Sequence, residues 1–175
     1  MTSGEGLRAS VVLFVAAMFQ VVTVSAFVFG GGAPDLLLVT VVALGLLRGS
    51  LPGAVLGFAG GLVVDLLTLA PLSVTSLILT LAGFWSGRWV ETTGRGRKLS
   101  PLLAVGVITV LAAAFSFVLH WMLGQEVAAT YALVTVLVPT LVANLILAFP
   151  VYLLVRAAVS ERDVRESAPE VEVLV

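Results

Sequence analysis

The chain has 175 residues, of which 60% are hydrophobic and 11% charged, with a mean hydropathy of +1.18. A water-soluble domain carries about 25% charged residues and cannot cover so much apolar surface, so a bilayer is the solvent that fits. Nine Lys and Arg against ten Asp and Glu leave no nucleic-acid footprint; zero cysteines exclude disulfides and thiolate metal sites, and one histidine, His120, excludes a multi-histidine metal site.

The apolar runs predict one all-α polytopic membrane domain of six transmembrane helices over residues 1–157. An acidic tail of disordered composition follows over 158–175. Leu7–Phe29 is the first span, ended by Gly30-Gly31-Gly32-Ala33-Pro34-Asp35. No Ala-x-Ala-like cleavage site follows it, so it reads as a retained helix rather than a signal peptide. The second span, Asp35–Leu47, is the weakest. Its uncharged core of 12 residues falls short of the roughly 20 a crossing needs, so Pro34 and Arg48 must sit near the interfaces, with Arg48 snorkelling. A re-entrant pair around Arg48–Pro52 is the other way to join it to the third span.

The third span is Leu51–Ala70 and the fourth is Leu72–Val90. A polar stretch, Glu91–Ser100, separates these from the fifth, Pro101–Leu123. The sixth runs Ala129–Val155, with Pro139 and Pro150 expected to bend it. With six crossings, every basic residue, from Arg8 and Arg48 through Arg88 to Arg156, Arg162 and Arg165, falls on one side. The other side has Asp35 and Glu126 and neither Lys nor Arg. The positive-inside rule then puts both termini in the cytoplasm. Trp85, Arg88 and Trp89 mark the cytoplasmic interface, and Arg95, Arg97 and Lys98 form a basic turn suited to anionic lipid.

Gly53, Gly57, Gly61 and Asp65 recur every four residues along the third span, and Gly60 widens this smooth face. Gly83 and Gly87 form a second pair at the same spacing in the fourth. Small residues at this interval let helices approach closely in lipid, either inside the bundle or against a separate subunit. Asp65 lies within the hydrocarbon slab and must face the bundle. It has three possible roles: capping the start of the fourth helix after Pro71, serving as a hydrogen-bonding hub for Thr68, Ser73, Thr75 or Ser76, or relaying protons or cations. In the sixth span Asn144, with Thr140 on the same face, reads as a buried amide that joins helices. His120 reads as an interface residue or a helix-end hydrogen bonder. Neither a nucleophile–histidine nor a two-histidine arrangement occurs, which argues against an enzyme.

The segment Gly61-Leu62-Val63-Val64-Asp65, then Pro71, then Gly83-Phe84 with Gly87, resembles the rod shape-determining MreD family of bacteria. Ser73 departs from the glycine, and Leu72 from the aromatic, that the family commonly carries there. The resemblance implies an inner-membrane, non-catalytic scaffold subunit of the cell-elongation machinery that makes peptidoglycan, without cofactor or small-molecule substrate. It further implies binding to the transmembrane region of an MreC-type single-span protein. Through that partner it implies a SEDS-type glycan polymerase, its transpeptidase and the actin-like filament. The implied fold is similar to the substrate-binding subunits of energy-coupling-factor transporters. The alternative takes that likeness literally and makes the chain a vitamin-binding transporter subunit.

Overall fold

In lipid a chain must satisfy its backbone hydrogen bonds internally, and long apolar runs do so as helices. The computed structural model describes residues 3–26, 33–68, 74–93, 100–122, 124 and 135–160, and they form six helices. These are α1 (Ser3–Ala26), α2 (Leu36–Arg48), α3 (Ser50–Thr68), α4 (Val74–Thr93), α5 (Ser100–Met122) and α6 (Val138–Ser160). Residues 135–137 form a π-helical turn leading into α6. Large apolar side chains lie exposed around the outside, including Phe14, Phe19, Phe58, Trp85, Ile146 and Leu154. Such a surface suits hydrocarbon and not water.

The weakest predicted span turns out to be the centre. Every residue from Leu37 to Leu46 is buried, and α2 packs against each of the other helices. Its 13 residues cover about 20 Å, against a hydrocarbon core of roughly 30 Å. Asp35 stands outside the helix as its N-cap, its Oδ1 accepting from the Leu38 N–H at 2.9 Å. Enclosure by neighbours, rather than contact with lipid, lets so short a segment stand in the middle.

Among the described residues, three segments are long and apolar enough to cross a membrane by themselves: Ser50–Thr68, Pro101–Met122 and Thr135–Val159. Shorter apolar stretches, Gly6–Val22 and Leu36–Arg48, lie in α1 and α2. Ser86, Arg88 and Glu91 make α4 more polar. Among the described residues, three of the six spans read from the sequence are thus long and apolar enough to cross unaided, and α2, the weakest, is enclosed by the others. A boundary moves as well. α6 continues past Val155 to Ser160, so residues 158–160 of the expected tail are helical. Pro139 follows closely on the π-helical turn at 135–137, and Pro150 lies inside α6. The tail from 161, the basic turn with Arg95, Arg97 and Lys98, and Pro71 with Ser73 lie outside the described residues.

α2 and α3 are joined through Gly49 alone, whose φ of +97° is the left-handed backbone that favours glycine. α3 and α4 then run antiparallel in backbone contact. A Cβ on Gly53 would strike the Gly83 carbonyl, and one on Gly83 the Gly53 carbonyl. One on Gly57 would meet the Leu79 carbonyl, and one on Gly61 the backbone of Ser76. Gly60 points elsewhere: it faces α1, where a Cβ would sit 3.1 Å from Leu13 Cδ1.

These two adjacent glycines make a direct test. Both gain about 1 kcal/mol of helix propensity on substitution by alanine. Gly61→Ala drives a methyl into rigid backbone and is expected to lose about 1–3 kcal/mol of stability. Gly60→Ala meets only the flexible end of Leu13 and should be neutral or better. Thermal unfolding of the two variants in the same detergent measures the difference.

Candidate functional site

The glycines singled out in the sequence form one seam. Gly53, Gly57 and Gly61 of α3 lie against Gly83, Leu79 and Ser76 of α4, and Gly87 lies against the backbone of Gly49 and Ser50. This seam is buried within the chain, so the stripe is not an open groove for another protein. Gly45 of α2 belongs to the same cluster, since a Cβ there would collide with the Ser86 hydroxyl and approach the Gly83 carbonyl. Ser86 is fully buried and its Oγ donates to that carbonyl at 2.9 Å. Neither Gly45 nor Ser86 was singled out from the sequence. Gly45, four residues before Gly49, was the available signal.

A carboxylate closes the seam at each end. Asp65, near the end of α3, is completely buried, and its Oδ2 accepts from the Ser76 N–H at 3.2 Å and the Ser76 hydroxyl at 3.1 Å. Ser76 lies in the first turn of α4, where backbone N–H groups lack helical partners and the helix dipole favours negative charge. Among the described residues, the Ser76 contact has the form of a cap on the start of α4, and Ser76 is one of the expected hub residues. Thr68 does not join it and donates instead to the Val64 carbonyl at 2.8 Å. At the opposite end Glu91, in the last turn of α4, does the same for α3. Its Oε1 accepts from the Ser50 N–H at 2.8 Å and the Ser50 hydroxyl at 2.9 Å. Each helix start is therefore held by an acid from the other helix. Glu91 also pairs with the exposed Arg88 guanidinium at 3.4 Å. It lies beyond the span that ends at Val90, and its contacts with Ser50, helped by Arg88, hold its carboxyl below the ordinary value of 4.5. The sequence placed Glu91 only in a polar stretch; its partner is 41 residues away.

A second polar junction fixes the start of α2. Asn144 is fully buried, its Oδ1 accepting from the Asp35 N–H at 2.8 Å and its Nδ2 donating to Thr109 Oγ1 at 3.2 Å. One amide therefore ties α6 to α2 and α5. From α1, Gln20 Oε1 accepts from the Leu37 N–H, and its Nε2 donates to the Pro34 carbonyl, both at 3.4 Å. Gln20 was missed, although a polar residue inside an apolar run was its signal. The His120 ring Nδ1 bonds the Ser116 carbonyl at 2.7 Å, one turn back on α5. Among the described residues no three His, Asp or Glu side chains converge as metal ligands. The seam and junction fix the register of the helices they join.

Residues 5–160 match the family model described as rod shape-determining protein MreD. No curated protein and no solved structure matches the chain.

Two outcomes follow from the clasps. Asp65→Asn keeps an acceptor oxygen for Ser76, whereas Asp65→Leu strands the α4 N–H and should cost about 1–3 kcal/mol more in a detergent melt. Because the folded value of Glu91 lies below its unfolded one, its contribution is present above about 4.5 and fades as pH falls through the folded value. Melting temperatures recorded down an acid series should drop in that range, and Glu91→Gln should flatten that part of the drop.

Proposed function

Because the chain belongs to the rod shape-determining MreD family, we propose that it is a membrane scaffold of the cell-elongation machinery. Proteins of this family are non-catalytic membrane subunits, and the chain is not an enzyme. The family match over residues 5–160 carries this reading, and the apolar helices agree with a membrane protein. In this proposal the described helices cross the inner membrane six times with both termini cytoplasmic. Their alternation supports it: Leu13 of α1 lies beside Gly60, Gln20 beside the start of α2, and α3 and α4 are antiparallel. Arg48 and Arg88 then share the end that carries the Gly49 turn.

The partner proposed is an MreC-type single-span protein, through which the glycan polymerase, transpeptidase and actin-like filament are reached. Its helix meets the lipid-facing surface, because the glycine seam is occupied by the chain itself. The scaffold works by packing: a stiff α2–α3–α4 unit holds its outward faces in fixed relation, and a neighbouring helix reads position and orientation from them. The basic residues Arg95, Arg97 and Lys98 remain proposed contacts for anionic lipid headgroups.

Two measurements test this reading. Isolation from native membranes in a mild detergent should recover an MreC-type protein in constant ratio, whereas recovery with ATPase and transporter subunits would favour the vitamin-transport alternative. The natural lack of cysteine makes topology readable by single substitutions. Gly124→Cys should react with a membrane-impermeant maleimide from outside. Arg88→Cys should react only once the inner membrane is opened, and the reverse pattern would invert the orientation.

A further inference from the structure

Tight packing along α3–α4 contrasts with loose packing on the other side of α4. A cleft of about 250 Å³ runs between α4 and α5, walled by apolar side chains that include Leu81, Trp85, Leu111 and Phe115. Adjoining it is a second, half-open chamber of about 490 Å³ among α2, α4, α5 and α6. Ile78 and Ala112 line both spaces. Volumes of roughly 300–1,000 Å³ with a few convergent polar groups are typical of small-molecule sites.

The chamber differs from the cleft in chemistry. Thr75, Thr109, Thr140, Ser116 and His120 bring polar atoms to its wall, while Phe117 and Leu137 keep much of it apolar. The hydroxyls of Thr75 and Thr140 take no hydrogen-bond partner among the described residues. Thr109 Oγ1 accepts from Asn144 and so keeps its own proton to donate. The His120 Nδ1 meets the Ser116 carbonyl at 2.7 Å and the Ser116 hydroxyl at 3.3 Å, which leaves ring Nε2 to meet a ligand. Hydroxyls and a ring nitrogen thus converge with neither Lys nor Arg on the wall, where the carboxyl group present is that of Asp35. A phosphate or carboxylate there would be desolvated beside the Asp35 carboxyl with neither Lys nor Arg to pair it, which is unfavourable.

We propose that the chamber and the α4–α5 cleft together bind a single-chain membrane amphiphile, its uncharged polyhydroxyl head among the chamber hydroxyls and its hydrocarbon chain along the cleft. Ala112, at the boundary, sets the passage between head and tail. The adjoining apolar cleft favours an amphiphile over a water-soluble polyol, since a free polyol leaves the cleft without an occupant.

Trp85 is a built-in reporter, because it lines the cleft. The full chain carrying Trp89→Phe and Trp121→Phe retains Trp85 as its one tryptophan. In detergent, a monoglyceride brominated in mid-chain should quench it saturably. The phosphate ester of the same brominated chain should need roughly ten times more, a difference of one decade in affinity. Thr75→Val with Thr140→Val should weaken the monoglyceride about tenfold, removing two of the head-group donors. Ala112→Phe should abolish the saturable component. Should Ala112→Phe fail to fold, the comparison of head groups on the unsubstituted chamber decides alone. Equal, unsaturable quenching by both amphiphiles would overturn the proposal and leave Trp85 a simple lipid-facing residue. Displacement of the monoglyceride by free glycerol at comparable concentration would overturn it too, by assigning the chamber to a water-soluble ligand.

Discussion

Contact between the backbones of α3 and α4 is the constraint on which the other features depend. Helices in lipid gain nothing from the hydrophobic effect by meeting one another, so close van der Waals approach and interhelical hydrogen bonds must hold them. Gly53 against Gly83, with Gly57 and Gly61 in succession, removes the side-chain layer that keeps ordinary helices apart. The register is then set twice, by Glu91 on Ser50 and by Asp65 on Ser76. A slip of one residue breaks both clasps and drives Cβ atoms into carbonyls. The antiparallel arrangement lets each helix offer an acid near its C-terminal end to the N-terminal end of the other.

This rigid pair makes room for α2. A 13-residue helix with Arg48 at its end has little standing by itself in a membrane. Gly49 folds it back onto α3, Gly45 lets it approach Gly83 and Ser86, and Asn144 with Gln20 satisfies the backbone where it begins. Its sequence is apolar all round because its surroundings are protein all round. Such a core holds the outward-facing surfaces of the surrounding helices at constant spacing.

Packing around α4 is asymmetric. On the α3 side, small residues bring the backbones together; on the α5 side, Trp85, Phe115 and the leucines between them leave a cleft beside a chamber that is apolar for the most part and carries several polar groups. Bulky side chains on both walls keep the helices apart there, and the separation makes space for a guest. Stiffness and accommodation thus occupy opposite faces of one helix.

Composition and spacing determined a good deal without tertiary information. The apolar share of the chain requires lipid, the four-residue glycine interval requires a close helix contact, and an acid within the slab requires donors. These properties are local, depending on hydropathy and helical period alone. Position in space was not legible in the same way. The sequence grouped Gly60 with Gly61, yet one faces α1 and the other α4, because neighbouring helix positions point about 100° apart. It ranked α2 as the weakest crossing, since a hydropathy window counts residues and cannot see that five other helices surround the segment. Glu91 and Gln20 looked incidental, because their partners lie in other helices. Which polar residue meets which backbone group, and where a cavity remains between side chains, only the tertiary structure decided. Both depend on how whole helices cross, and that is a property of the bundle rather than of any one segment.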